Sequence, residues 1–253
     1  MKISIALTCF LLTLPAAVNA ADFDASLRQA LTVAGMKNPL RLELQRPVDA
    51  RLFKIETQGV EGSGLFKGTL HVVRCAAEVR SLSEKLKPGD QLVLAGDNWK
   101  DARFTFAGTG TEQAPILIRP EKPGDAVFTG TTEISFYGVH LIIMGIEFRE
   151  VHPAKDNTVI FRLGSSEEKP AEHCIANRIK FDNCGSLSSE DWPRIRLWLM
   201  NVRGHANTVA NCTFAGLKNI GQMLGAANLP AEGLQQLHVL NNRFTSRPKI
   251  DGQ

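Results

Sequence analysis

The sequence predicts an all-β fold, a right-handed parallel β-helix (solenoid) with a short mixed N-terminal cap or subdomain. The first observation behind this is a pattern of four copies, each ending in phenylalanine, at Phe148, Phe181, Phe214 and Phe244. The spacings of 33, 33 and 30 residues are typical of chains that stack coil on coil. A β-sandwich with chance phenylalanine spacing is the alternative, and the recurrence of both period and internal pattern favours the solenoid.

The second observation lies inside each copy. Five residues before each phenylalanine stands a small or β-branched apolar residue: Ile143, Ala176, Val209 and Val239. Side chains alternate along a strand, so this residue and the phenylalanine cannot both face inward from one flat strand, and a corner must separate them. The residue three before the phenylalanine is Gly145, Arg178, Asn211 or Asn241. Glycine and asparagine tolerate the left-handed backbone of a corner, and Arg178 fits least well.

The third observation is the aromatic composition, which stands at 13 Phe and one Tyr. Phenylalanines stacked at interior positions explain this preference for Phe over Tyr.

The start of the chain has the features of a secretory signal over residues 1–20. Lys2 provides the positive end, residues 3–14 are apolar, and Val18-Asn19-Ala20 offers a cleavage site. The apolar run is too short for a membrane span, and no later segment approaches the required length. We therefore expect a secreted or periplasmic protein without a membrane span, whose oligomeric state the sequence leaves open.

The charge balance narrows the class of partner. Loss of Lys2 with the signal leaves 28 basic against 26 acidic residues, a net charge of about +2. That balance argues against a nucleic-acid binder and against a membrane-surface protein.

Residues 21–70 differ from the rest. Residues 26–33 have helical periodicity, whereas residues 40–44 and 52–55 alternate apolar and polar like strands. Because a solenoid needs its open ends covered, this segment is predicted to be a cap over the first coil or a small subdomain.

Residues 71–253 are predicted to form the β-helix. Residues 76–86 have a helical spacing, and residues 91–95, 115–119 and 126–128 are typical of strands between glycine- and proline-rich turns. An insertion over residues 185–202 is long for a β-helix turn, and loops on such scaffolds carry function.

Four cysteines remain after the signal is removed: Cys75, Cys174, Cys184 and Cys212. An exported chain with four cysteines can form disulfides, and their spacing matches no zinc motif. Cys212 occupies an inward-facing repeat position, where a small buried hydrophobic residue is at least as well supported.

Several short segments occur in a characteristic order over residues 76–130. They are a short helix, Lys-Pro-Gly-Asp before a strand, a turn with Gly96 and Trp99, Gly-Thr-Gly, Ala-Pro-Ile, and a Pro-Gly turn leading to Phe-Thr-Gly. Together they resemble the opening of polysaccharide lyase family six, which contains alginate lyases and chondroitinase B. The resemblance continues around Phe148, Cys184 and residues 203–216 and 244–248, and so covers residues 71–253.

The resemblance implies β-elimination on a uronic acid within an acidic polysaccharide. In the family a calcium ion, held by one Asn and a Glu-x-Glu segment, disperses charge on the substrate carboxylate, a lysine is the base, and an arginine assists the leaving oxygen. These groups follow the family's Arg-Pro, which matches Arg247-Pro248, and the motif does not occur in this chain. The close acidic pair Glu167-Glu168 lies in a polar run typical of a solvated turn. No catalytic or metal-ligating residue is therefore assigned.

Three explanations follow from this ending. The chain is a fragment of a longer lyase, a truncated inactive relative, or a short protein with another role. The sequence shows no capping helix after Phe244, and an open solenoid face is a liability, which favours the fragment.

Three cations are candidate binding residues for an acidic polysaccharide: Arg194 and Arg196 in the insertion, and Lys218 after Phe214. Arginine can grip a carboxylate with two hydrogen bonds, although a solvated surface charge is the favoured interpretation of each of the three, most of all of Arg194. Trp198 could stack on a sugar, but its apolar neighbours favour a core position.

The leading functional hypothesis is a lyase, or part of one, for alginate or a related uronate polymer. The alternative is a non-catalytic exported β-helix that binds glycan or serves as a surface scaffold. A pectin-type hydrolase needs facing carboxylates. Asp182 follows Phe181, but the other copies carry Arg149, Ala215 and Thr245 at that position.

Overall fold

The structure of the protein is a computed structural model, which describes residues 49–97, 99–226 and 237–245. Everything described belongs to the unit that begins at Val48. The predicted signal, the helix at residues 26–33 and the strand at residues 40–44 lie outside the described residues. Within the described ranges, no helix is long and apolar enough to cross a membrane.

The described elements follow one another in chain order. The helices are α1 (Ala50–Gly62), α2 (Ala76–Leu82) and a short 3-10 helix (Ser189–Asp191). The strands are β1 (Leu70–Val73), β2 (Gln91–Leu94), β3 (Arg103–Thr109), β4 (Ile116–Pro120), β5 (Val127–Phe128), β6 (Glu133–Val139), β7 (Leu141–Met144), β8 (Glu147–Arg149), β9 (Thr158–Leu163), β10 (Ala171–Glu172), β11 (Ile175–Asn177), β12 (Lys180–Asp182), β13 (Arg196–Val202), β14 (Gly204–His205), β15 (Asn207–Ala210), β16 (Thr213–Ala215), β17 (Ile220–Ala226), β18 (Leu237–Leu240) and β19 (Arg243–Phe244).

Three parallel sheets wrap the chain into a right-handed β-helix, so the predicted fold class is confirmed. Sheet 1 has the order β1-β2-β4-β7-β11-β15-β18, and sheet 3 has the order β19-β16-β12-β8-β5. Sheet 2 has the order β14-β10-β6-β9-β13-β17, with β3 beside β6. Each coil runs through sheet 1, then sheet 3, then sheet 2, so successive coils bring equivalent residues into register.

The four phenylalanines form the stack that their spacing predicts. Phe148, Phe181, Phe214 and Phe244 are direct partners along sheet 3. Their ring centroids are 4.8, 5.3 and 4.8 Å apart with nearly parallel planes. Such aromatic pairs contribute roughly 0.5–1.5 kcal/mol each beyond the area they bury. The four rings therefore form one continuous column of interior contacts along the solenoid.

The corner residues adopt the left-handed backbone expected for them. The φ angles are 72° at Gly145, 54° at Asn211 and 51° at Asn241. Arg178, which fits this pattern least well by residue type, has the same conformation with φ of 54°. The strands on either side of Arg178 keep the register of the neighbouring coils, so the corner takes this backbone although an arginine does not prefer it.

Residues 52–55 are helical, which corrects the strand predicted there. Asp49 caps α1 by accepting a hydrogen bond from the backbone N–H of Arg51 at 3.0 Å. Leu52 and Ile55 then fall on one face of the helix and are buried against the outer face of sheet 1, where they meet Leu117, Ile142 and Ile175.

Helix α1 consequently lies along the side of the coils, and the outer face of sheet 1 is apolar as well as the inner one. The cap or subdomain predicted for residues 21–70 stays a prediction, since residues 21–48 lie outside the described residues. Helix α2 ends at Leu82, short of the predicted residue 86.

The four cysteines that follow the signal are all free thiols, so the possibility of disulfides is not realised. Cys174, Cys184 and Cys212 stand at three different positions of the coil and cannot meet. Each is buried in the interior, as predicted for Cys212, and burial raises the pKa of each thiol to about 12.

Candidate functional site

The insertion after Gly185 is fastened to the next coil by Asn219, a fully buried residue. Its Oδ1 accepts a hydrogen bond from the Ser186 N–H at 2.6 Å, and its Nδ2 donates to Ser186 Oγ at 2.8 Å and to the Ile195 carbonyl at 3.0 Å. Trp192 Nε1 donates to the Ser186 carbonyl at 3.0 Å. Residues 196–202 form β13, which corrects the insertion predicted over residues 185–202 to residues 185–195. Both ends of this shorter insertion are held by one amide, a role that the sequence pattern did not indicate.

The three predicted cations lie at one corner, where sheet 3 passes into sheet 2. Arg196 opens β13 and is the register partner of Ile220, two residues after Lys218. Arg194 precedes β13 in the same insertion. Lys218 packs closely over Gly185 of the previous coil, where an added Cβ would come within 2.4 Å of the lysine Cβ. The backbone therefore brings Arg194, Arg196 and Lys218 to neighbouring coils of a single corner.

The three basic side chains at this corner are accessible to solvent. Arg194 and Arg196 are exposed and Lys218 is half-buried. No carboxylate in the described part of the chain forms an ion pair with any of the three. Asp156 accepts a hydrogen bond from the Arg196 backbone N–H at 2.8 Å, which lowers the pKa of Asp156, and the insertion itself also carries Glu190 and Asp191.

Trp198 faces outward, so the predicted core position is wrong. Leu197 and Leu199 on either side are fully buried, and the alternation of a strand places Trp198 on the opposite face. The indole lies against the backbone at Gly225, where an added Cβ would come within 2.8 Å of the ring. Its Nε1 donates to Asn157 Oδ1 at 3.2 Å. Outward from sheet 2, the half-buried ring offers an apolar surface beside Arg196.

Further along the outer face of sheet 2, the charged side chains form ion pairs with one another. Glu133 lies 3.7 Å from Arg103 and 3.8 Å from Arg162, and so links three adjacent coils. Burial lowers the pKa of Arg162, and Glu133 opposes that shift. Arg103 and Arg162 thus share a carboxylate partner, whereas Arg194, Arg196 and Lys218 form no ion pair within the described residues.

The described residues do not fit the calcium ion that the resemblance implies. Across residues 49–97, 99–226 and 237–245, no group of three or more His, Cys, Asp or Glu side chains could hold a metal ion. Glu167 and Glu168 are exposed in a turn, as predicted, and Glu167 lies 3.5 Å from Arg203. No chemical step is therefore derived through a metal here.

Comparison with known proteins establishes the family. The family model described as chondroitinase B matches residues 73–253, and the chain belongs to that family. No curated protein sequence is significantly similar to the chain.

Solved structures of polysaccharide lyases share the fold. A mannuronic acid specific family 6 lyase from human gut microbiota is 22% identical with a TM-score of 0.67, over 73% of this chain and 42% of that one. The family 6 alginate lyase AlyGC is 22% identical with a TM-score of 0.65, over 72% and 24%. A family 6 lyase from Pseudopedobacter saltans is 18% identical with a TM-score of 0.56, over 67% and 36%. The chain thus spans less than half the length of these lyases.

Proposed function

We propose that this chain is the N-terminal part of a longer exported polysaccharide lyase that cleaves a uronate-containing polysaccharide, such as alginate, by β-elimination. The observation that carries the proposal is the family match over residues 73–253, in a chain that spans 24% and 42% of two family 6 lyases of the same fold. Export through removal of residues 1–20, to the periplasm or the medium, is part of the proposal.

Within that lyase, the described coils contribute glycan binding. Arg194, Arg196 and Lys218 offer positive charge for uronate carboxylates, and the outward face of Trp198 offers an apolar surface for a sugar ring. An exposed ion pair contributes only about 0–1 kcal/mol, so several contacts along a polymer are needed for useful affinity.

The elimination itself removes the proton beside the carboxylate and expels the glycosidic oxygen. It therefore needs a base, an acid and a group that stabilises charge on the carboxylate. We place these groups on coils that follow the described ones. The exposed fractions of Val239 and Phe244 in the last described coil are 47% and 50%, whereas those of Val209 and Phe214 one coil earlier are 0%. That face is suited to receive a further coil.

The deciding experiment compares the chain 21–253 with the same chain extended along its downstream reading frame. Absorbance of the unsaturated uronate is followed on alginate and on dermatan sulfate, with and without calcium. We expect product from the extended chain alone. Calcium-dependent product from residues 21–253 would contradict the placement of the catalytic groups. Glycan binding without product in both chains would instead favour a non-catalytic exported β-helix.

A further inference from the structure

A separate pocket of about 650 Å³ lies at a different corner of the coils, where sheet 1 passes into sheet 3. Its walls are the last turns of α1, the turn after β4 and the corners at Gly145 and Arg178. Its volume is within the range of about 300–1,000 Å³ that small-molecule sites occupy. The glycan-binding cations Arg194, Arg196 and Lys218 are not among its lining residues.

The first notable side chain in the pocket is Arg119. Its Nε donates to Gln91 Oε1 at 3.1 Å and its Nη1 to the Pro120 carbonyl at 3.0 Å, and both acceptors are neutral. No carboxylate in the described ranges forms an ion pair with it. These bonds hold the half-buried guanidinium in place, and its Nη2 donates no hydrogen bond to any of the described residues. A partly buried charge of this kind is stabilised by an anionic partner.

The second is Arg178. It holds a left-handed backbone that costs an L-residue other than glycine or asparagine about 1–2 kcal/mol, at a corner where Gly145, Asn211 and Asn241 stand in the other copies. Its one described carboxylate partner, Glu56, is 3.9 Å away and accepts a hydrogen bond from Asn211 Nδ2 at 2.6 Å.

The rest of the wall suits a small ring. Val60, Pro120, Pro123 and Met144 supply apolar contacts, and the backbone of Gly145 packs closely on Pro120, where an added Cβ would come within 3.3 Å. Two carboxylates, Glu61 and Glu121, also line the pocket. Both are exposed, so water screens their charge more than that of Arg119.

We propose that this pocket binds a short carboxylate-bearing saccharide of one or two uronate residues, with Arg119 and Arg178 on the carboxylate. The requirement for a carboxylate rests on the two arginines. The uronate class rests on the proposed lyase function. The site would hold an oligosaccharide end or a released product, apart from the polymer-binding corner.

The experiment titrates a mannuronate disaccharide, and separately the neutral disaccharide mannobiose, into the chain 21–253 by calorimetry. We expect saturable binding of the uronate with one site and no binding of mannobiose. Arg178→Asn is expected to weaken uronate binding at least tenfold while Tm stays level or rises, because Asn211 holds the same corner with the same φ. Arg119→Gln is expected to weaken it similarly.

Arg74→Gln is the matched control, since it removes an exposed charge that lies outside both the pocket and the corner with Arg194, Arg196 and Lys218, and is expected to leave disaccharide binding unchanged. Unaltered binding in both Arg178→Asn and Arg119→Gln, equal binding of mannobiose, or no uronate binding at all would overturn the proposal. Titration with succinate separates the two claims. Binding of succinate in the absence of uronate binding would keep an anion pocket but refute its saccharide, whatever the outcome of the lyase assay.

Discussion

At the scale of single residues, the interior of this β-helix protects its sulfur atoms. Cys174, Cys184 and Cys212 are buried and their pKa values are raised to about 12 by burial, whereas Cys75 at the start of α2 is partly exposed. Thiolate is the reactive form of cysteine, and at pH 7 a thiol with such a pKa is almost wholly protonated.

We therefore predict that a thiol reagent such as DTNB modifies one cysteine quickly in the native chain 21–253 and all four after denaturation. Cys75→Ser should abolish the fast phase, and Cys212→Ser should leave it intact. A fast phase of two or more thiols in the native protein would show that the interior positions open readily.

A second single side chain, His140, links the stability of the fold to pH. His140 Nδ1 lies 2.8 Å from Arg51 Nη1, and its ring stacks on that of His173 at 5.1 Å. Burial, Arg51 and His173 lower the pKa of His140, while Glu112 and Asp49 oppose the shift. Because the pKa in the folded protein lies below that of the unfolded chain, the unfolded chain binds more protons as pH falls.

We predict that the free energy of unfolding decreases as pH falls from 8 through 6.5, until His140 is protonated in the folded protein too. His140→Asn keeps a residue that tolerates its φ of 51° and removes the titration, so its Tm should depend less on pH over this range. Thermal melts between pH 8 and 5.5 measure the difference. Equal slopes for the two proteins would contradict the assignment, and His238→Asn is the control.

At the scale of elements, the insertion depends on one buried amide. Removing Asn219 leaves the Ser186 N–H and the Ile195 carbonyl without their partner, and an unsatisfied buried polar group costs about 1–3 kcal/mol. Because these hydrogen bonds join the insertion to the next coil, their loss should loosen the insertion before the rest of the fold.

We predict that Asn219→Ala lowers the free energy of unfolding by about 1–3 kcal/mol and accelerates trypsin cleavage after Arg194. It should also weaken alginate binding at the corner with Arg194, Arg196 and Lys218. Asn201→Ala, on the outer face of β13, is the comparison variant. Unchanged cleavage after Arg194 in Asn219→Ala would refute the role of the amide.

An element of the fold can be predicted from the sequence where its own residue pattern determines its structure. The corners and the phenylalanine stack recur every 30 or 33 residues, so register could be predicted from spacing. Residues 52–55 are too few to separate a strand from a helix, and their fate is decided by Asp49 and by the apolar outer face of sheet 1. The core position predicted for Trp198 is wrong because the prediction rests on the apolar neighbours, whereas the alternation of side chains along β13 turns Trp198 outward.

The two candidate sites also differ in how far the sequence predicts them. The repeat positions that the sequence identifies lie close in the chain to Arg194, Arg196 and Lys218. A common corner for these three residues could therefore be expected. The pocket with Arg119 and Arg178 could not, because it is assembled from α1 and three separate coils. Its one sequence signal is an arginine at a corner position that otherwise carries glycine or asparagine.

At the scale of the whole molecule, a solenoid gains stability from contacts between neighbouring coils. The stacked phenylalanines make this measurable, because Phe214 and Phe244 occupy equivalent positions 4.8 Å apart but differ in exposure, at 0% and 50%. Truncating a fully buried phenylalanine costs about 3–5 kcal/mol, and truncating a half-exposed one costs correspondingly less.

We predict that in the chain 21–253 Phe214→Ala lowers the free energy of unfolding by about 3–5 kcal/mol and Phe244→Ala by about 1 kcal/mol. In the chain extended downstream, a further coil would cover Phe244, and the cost of Phe244→Ala should rise toward that of Phe214→Ala. Urea denaturation of the four variants gives the comparison. If the cost of Phe244→Ala is the same in both chains, no coil stacks on that face, and the proposed continuation of the β-helix is wrong even if the longer chain is an active lyase.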